Sequence, residues 1–478
     1  MIVQGFVGRE HEFAILQKEL DRVRVGNDQP GRCLIVRGRR RVGKSRLIEE
    51  FCARANVPFV FFTASKQGDR ESELFLAEAR ESDLPNREVF VGVTVSDWEA
   101  ALRLLAAAVG DDGPVVVVID EFPYLVDADP AVEAVFQKQW DRLLSKRQIL
   151  LLIVGSDLAM MEALNTYGRA LFQRGTEMLV PSLSPVETGN IVGIANPADV
   201  FDAYLVTGGL PLVCRDWPSG MTMWQYLDEA LAESTSAMVV SGERALAAEF
   251  PEHAQARVVL NQIGAGERTF TNIARAGGGM SAASAGRALE LLIAKRVVQR
   301  DVPLSTSASK EARYRVADPY LRFWLQFVGP HLAEIERGRG DRVVARIRRD
   351  WTTWRGKAVE PVIREALTRL SPVKGLADAP VVGGFWTRSN VPEIDIVGAD
   401  RGPVANSLAY VGTIKWRDEA PLDEVDVRQL VADLSRLPGA SPTVPIVAVS
   451  RSGHTVTTHV THLGPKDLLS AWRPHVDA

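Results

Sequence analysis

Gly38-Arg39-Arg40-Arg41-Val42-Gly43-Lys44-Ser45 is the stretch that decides how this 478-residue chain is read. It lies between an apolar run at residues 33–36, expected as a strand, and a helical stretch at residues 46–55. The spacing is GxxxxGK[ST], and its chemistry requires these residue types. Gly38 and Gly43 let the backbone turn, so that the successive amides of Arg39, Arg40, Arg41 and Val42 face a polyphosphate. The helix that opens around Lys44, Ser45 and Arg46 adds the positive end of its dipole. Lys44 has the length to reach β- and γ-phosphate oxygens, and the Ser45 hydroxyl is a ligand for Mg2+.

Outward from this loop, short β-rich runs alternate with helical stretches. Residues 59–63, 115–119 and 149–154 read as further strands, with helices at 98–109 and 131–144. Continuous apolar strands separated by helices predict an α/β fold whose parallel sheet is covered on both faces. Asp120 and Glu121 end one such strand, where ligand crevices open. Asp120 is expected to hold Mg2+ through water and Glu121 to polarise the attacking water. Gly155-Ser156-Asp157 ends the next strand. Ser156 there is a candidate γ-phosphate sensor, with the N-cap of a helix at 158–164 as its alternative role. Arg169 and Arg174, further on, are candidate arginine fingers.

The chain then changes character. Residues 181–250 are helical around the turn Gly208-Gly209-Leu210-Pro211, and read as a lid. Residues 251–317 offer two short helices, a longer one capped by Ser281, and two strands around Ser305-Thr306-Ser307, the order of a winged helix. Residues 318–478 begin with an aromatic helix (Tyr320, Phe323, Trp324, Phe327), pass through a basic stretch, and continue in strands at 381–386, 393–397, 410–416 and 444–449.

Taken together, Phe6-Val7-Gly8-Arg9-Glu10, the loop 38–45, the run Val115–Leu125 (VVVVIDEFPYL) and Val206–Pro211 (VTGGLP) resemble the archaeal-type ATPases of the signal-transducing (STAND) class of P-loop NTPases. The resemblance covers residues 1 to about 316. It implies that Val7, Gly8 and Arg9 edge the adenine pocket, and that the turn at Pro211 is a lid sensor near the nucleotide. The strand–helix unit between the loop and Asp120, with Glu121 adjacent, resembles the additional-strand, catalytic-glutamate division of these proteins. No NKxD guanine-reading motif is present, which favours ATP over GTP. Residues 318–478 resemble the restriction-endonuclease-like α/β domain that often follows such an ATPase. Its active-site pattern maps onto Glu360, Asp395 and Lys415; Thr413 stands where that pattern has an acid, with Glu393 and Glu424 as nearby carboxylates. Period-two alternation places Glu393 with Asp395, and Thr413 with Lys415, on shared faces.

Composition bounds the rest. A net charge of −4 gives no whole-protein attraction to nucleic acid or an anionic membrane, so any such contact must be local. Residues 336–357 carry a local excess of five positive charges interleaved with Trp351 and Trp354, a candidate DNA-contacting face, as is the winged helix. Three scattered cysteines, no secretory segment and no apolar run long enough to span a bilayer point to a cytoplasmic protein. The leading expectation is a nucleotide-driven switch that binds and hydrolyses ATP with Mg2+, and acts on a protein partner or a second copy of itself. An ATP-regulated, Mg-dependent DNA nuclease and a DNA-binding regulator are the alternatives.

Overall fold

The computed structural model describes residues 6–25, 30–110, 113–250, 254–266, 269–278, 280–373, 375–457 and 459–473. The chain divides into two compact units, Met1–Ser182 and Leu183–Ala478.

The first unit is built on five parallel strands: β1 (Arg32–Arg37), β2 (Phe59–Thr63), β3 (Val115–Asp120), β4 (Ile149–Gly155) and β5 (Thr176–Leu179). Their order is β2-β3-β4-β1-β5. All residues of β3 and β4 are buried, as expected of unbroken β-branched and leucine runs. Alternation divides them between two cores. Val115, Val117, Ile119, Leu151 and Ile153 face one layer of helices, while Val116, Val118, Leu150, Leu152 and Val154 face the other. The order places β4 between β1 and β3, so the ends of three strands meet at one edge. Strand β5 has a single buried residue, Met178, and no apolar run that announces it. All three cysteines are free and buried.

The second unit holds the segments expected as lid, winged helix and C-terminal domain. Helices Pro185–Val192, Pro197–Thr207, Pro211–Asp216, Met223–Ala230 and Ala237–Glu249 come first. Helices Ala254–Gly264, Phe270–Ala276 and Ala282–Ala294 follow, the last capped by Ser281, which accepts from the Ser284 amide at 3.1 Å. Strands β6 (Val298–Asp301) and β7 (Arg313–Val316) then pair antiparallel. A mixed sheet closes the chain from β8 (Val381–Trp386), β9 (Glu393–Ala399), β10 (Leu408–Lys415), β11 (Ile446–Ser450) and β12 (Thr461–Leu463). Strands β8, β9 and β10 are antiparallel neighbours, and β11 and β12 add in parallel.

One hydrophobic core joins these segments, running through Phe201, Leu260, Leu292, Trp324, Trp351, Ile396 and Val447. The boundaries expected near 250 and 317 therefore do not separate cores. The aromatic helix explains why: Tyr320 donates to the Met238 carbonyl and Trp324 to the Val239 carbonyl, both at 2.9 Å. Trp351 packs against Trp354 and Phe323, and Trp354 against Phe327, so these rings serve the protein interior. Around them, Arg339, Arg346, Arg348 and Arg349 are paired with Asp341, Glu334, Asp228 and Asp350. Glu334 and Asp228 lie outside the stretch, so the local sequence overstates its charge. Among the described residues, no helix is long and apolar enough to cross a membrane.

Candidate functional site

At the C-terminal edge of the first sheet, the chain leaves β1, turns through residues 38–43, and enters the helix Lys44–Ala55. Gly43 holds φ at +86°, in the left-handed region open to glycine. A Cβ on Gly38 would meet the Val180 carbonyl oxygen at 2.4 Å, so the backbone there tolerates only glycine. Arg41 adopts a left-handed φ of 68° between them. Lys44 is buried, its ammonium donating to the Gly38 carbonyl at 2.9 Å and the Arg39 carbonyl at 3.0 Å. An ammonium with its stem packed in the loop and its head on loop carbonyls is already placed inside the cradle.

Opposite stands the end of β3. Asp120 is buried; its Oδ1 accepts from the Glu121 amide at 2.9 Å, and the Ser45 hydroxyl and Lys44 ammonium lie close to it. Burial raises its carboxyl above the usual aspartate range, against the lowering effect of Ser45, the Glu121 amide and the Lys44 charge. Glu121 sits at φ 53°, an uncommon conformation for a non-glycine residue. Its Oε2 accepts from the Ser156 hydroxyl at 3.0 Å. Helix Leu158–Leu164 is capped by Asp157, which accepts from the Met160 amide at 3.0 Å, so the capping role falls to Asp157 and not to Ser156. Asp120, Glu121 and Ser156 are thus linked by hydrogen bonds, with Lys44 and Ser45 close to Asp120.

The flanking residues divide. Gly8 and Arg9 both have left-handed backbones. The buried Arg9 guanidinium donates to the Val42 and Pro181 carbonyls at 2.8 Å each and pairs with Glu12, tying the N-terminal segment to the loop. Val7 beside them is exposed. Arg40 donates to the Tyr124 hydroxyl at 3.1 Å, and the Lys66 ammonium lies 4.3 Å from the Tyr124 ring centroid. Tyr124 was not anticipated, although its position three residues after Glu121 marks it as a neighbour. Arg46 points along its helix to Glu49 and Glu50. Among the described residues, both finger candidates pair away from the cluster: Arg169 is engaged by the buried Glu133, and Arg174 is bidentate to Asp141. Pro211 opens a helix of the second unit.

That unit holds a second polar constellation, a cleft of about 250 Å³ whose walls include Glu360, Glu393, Asp395, Thr413, Lys415 and Asp426. The expected face-sharing along β9 and β10 is present. Asp395 Oδ2 accepts from the Thr413 hydroxyl at 3.0 Å and from the Ile414 amide at 2.8 Å. Glu360 pairs with Arg364; burial raises its carboxyl, with Asp395 and Glu393 adding to the rise. Lys415 lies 3.6 Å from Asp426, which also binds Arg417. Glu424, the other acid considered, instead accepts from the Thr457 amide and hydroxyl. Among the described residues, no three His, Cys, Asp or Glu side chains converge as a metal-holding group. The carboxylates of the cleft are engaged by donors and cations, and do not fit a divalent ion as they stand.

DUF234, a family of archaeal and bacterial proteins of unknown function, matches residues 324–430. An uncharacterized protein of Methanocaldococcus jannaschii is 25% identical over 437 residues, covering 90% of this chain and 91% of the relative. A second, shorter uncharacterized protein of that archaeon is 35% identical over 75 residues, 16% of this chain and 71% of the relative. Among solved structures, a Walker-type ATPase of Pyrococcus abyssi is similar over 68% of this chain and 97% of its own, with a TM-score of 0.45 and 18% identity. The chain carries a DUF234 domain and belongs to the same family as the shorter of the two Methanocaldococcus proteins.

Proposed function

We propose that the chain is an ATP-binding and ATP-hydrolysing switch of the STAND-like kind. The observation that carries this is the buried Asp120 at the acidic strand end, which lies close to Ser45 in the first turn after the glycine loop and to the Lys44 ammonium. A hydroxyl and a carboxylate so placed are the hard oxygen donors that suit Mg2+, whose role when bound is to neutralise phosphate charge. Lys44 exchanges loop carbonyls for phosphate oxygens, the loop amides orient the triphosphate, and Glu121 accepts a proton from the attacking water. Ser156 holds Glu121 until the terminal phosphate competes for its hydroxyl. The lid, the winged helix formed by residues 254–316, and the C-terminal domain then carry the nucleotide state to a partner. Val7, Gly8 and Arg9 are the residues assigned to the adenine side.

Steady-state turnover tests this reading. Lys44→Ala is expected to abolish ATP binding and turnover; Glu121→Gln is expected to keep binding and lose about 10²- to 10⁴-fold in kcat. Unchanged turnover in both variants would sink it.

A second reading, a Mg-dependent nuclease in the C-terminal domain, is favoured by one observation: Glu360, Asp395 and Lys415 line the same cleft. Thr413 at the missing acid position, donating to Asp395, weighs against metal loading. Mg-dependent cleavage of duplex or single-stranded DNA that disappears in Asp395→Ala is what this reading requires.

A further inference from the structure

The connection between β6 and β7, residues 302–312, is a polar loop by sequence. Its structure is different. Leu304 is buried among Phe385, Ile394, Val397 and Val411, the core beneath the C-terminal sheet. The Leu304 amide donates to the Gly384 carbonyl at 2.9 Å, and the Ala405 amide donates to the Ser305 carbonyl at 2.9 Å. Thr306 continues the contact through its amide to the Pro438 carbonyl at 3.3 Å. At the base of β7, Arg313 donates to Glu393 and to Asn390 at 2.6 Å each, with its guanidinium 4.4 Å from the Trp386 ring centroid. Glu393 and Ile394, gripped from this side, are also walls of the acid–lysine cleft.

The hairpin with its approach, residues 295–315, is basic: Lys295, Arg296, Arg300, Lys310, Arg313 and Arg315 outweigh Asp301 and Glu311, although Arg315 is paired with Asp301. A basic hairpin has phosphate backbone as its natural partner, through contacts that weaken with salt. Here its tip is spent inside the chain. Its Arg313 is satisfied by a carboxylate, the group with which a polyanion competes.

We propose that residues 302–313 form an autoinhibitory strap. Seated, it withholds the basic wing from nucleic acid and fixes Glu393 at the lip of the cleft. Released, it frees Arg313 for phosphate and Glu393 for the cleft, so that wing and cleft change state together.

The test uses the full chain without nucleotide, so that failure of ATP chemistry in the first unit has no bearing on it. Glu393→Gln removes the partner charge while leaving Arg313 intact, and Leu304→Ser unseats the plug. Each is expected to raise affinity for a short fluorescent DNA duplex at least about tenfold over wild type, with a gain that shrinks as salt is added. Hydrogen exchange at residues 302–313 is expected to speed up in parallel. If Leu304→Ser does not fold, Glu393→Gln, which alters a half-exposed side chain, reports alone. Unchanged or weaker duplex binding overturns the proposal, and so does full retention of protection at 302–313.

Discussion

Ser156 Oγ donates to Glu121 Oε2 across 3.0 Å, linking the residue after β4 to the residue after β3. The carboxylate is thus fixed by a neighbouring strand, and its own backbone is held in the left-handed region. In the proposed reading Ser156 positions the base. Ser156→Ala is expected to leave ATP affinity unchanged and to lower kcat, by less than the roughly 10²-fold or more expected on removing the base itself. A change in affinity with kcat intact would assign Ser156 to the ligand instead.

The strained φ of 53° at Glu121 makes a separate prediction. Strain of this kind costs about 1 kcal/mol, tolerated where a side chain is needed. Glu121→Gly is expected to raise stability in urea melts by up to about 1 kcal/mol while abolishing turnover. A destabilised glycine variant would mean that the Ser156 bond outweighs the strain.

Arg9 was expected at the edge of an adenine pocket, and its guanidinium binds the carbonyls of Val42 and Pro181. Arg9→Ala leaves those carbonyls and Glu12 without their buried partner. It is expected to cost about 3 kcal/mol, measured as a shift in the denaturation midpoint. Loss of nucleotide affinity without loss of stability would place its role at the ligand.

A buried charge network in the second unit gives a pH dependence. Arg355 and Arg451 both bind Asp202, and both bind Asp418. Burial pushes the Asp202 carboxyl up to about 6 against those two guanidiniums. A carboxyl raised above its unfolded value stabilises the fold fully below that value, and the contribution is lost as pH rises through about 6. The stability difference between wild type and Asp202→Asn is therefore expected to move against the wild type as pH rises from about 4 to about 6. Melts of both proteins across that window check it; a difference that moves toward the wild type contradicts it.

The glycine loop, the acidic strand end and the three longest strands of the first sheet were legible because each is a local pattern: fixed spacing in one case, apolar runs in the others. What sequence could not supply was pairing across the chain. Nothing local in Ile149–Gly155 says that it lies between β1 and β3, yet that placement brings Ser156 to Glu121. The arginines of residues 336–357 looked like a free basic face because Glu334 and Asp228 lie outside that window. Trp351 and Trp354, three residues apart beside those charges, are more often core than base platform at that spacing, and they pack against Phe323 and Phe327. Leu304, beside the serine-rich stretch 305–309, gave no sign that it is a plug. In the cleft, alternation set Glu393 with Asp395 and Thr413 with Lys415 within each strand, while the strand register that brings Asp395 to Thr413 is seen only in the structure.

Thermal unfolding with and without Mg-ATP tests the central claim most directly. At about 100 times its dissociation constant, a ligand of the folded state adds roughly 2.7 kcal/mol, so the wild type is expected to melt several degrees higher. Lys44→Ala and Asp120→Ala are each expected to abolish that increment, whatever their melting temperatures without ligand. A wild type that gains nothing from Mg-ATP, or variants that gain as much as the wild type, would contradict the claim that this loop and this strand end hold a nucleotide.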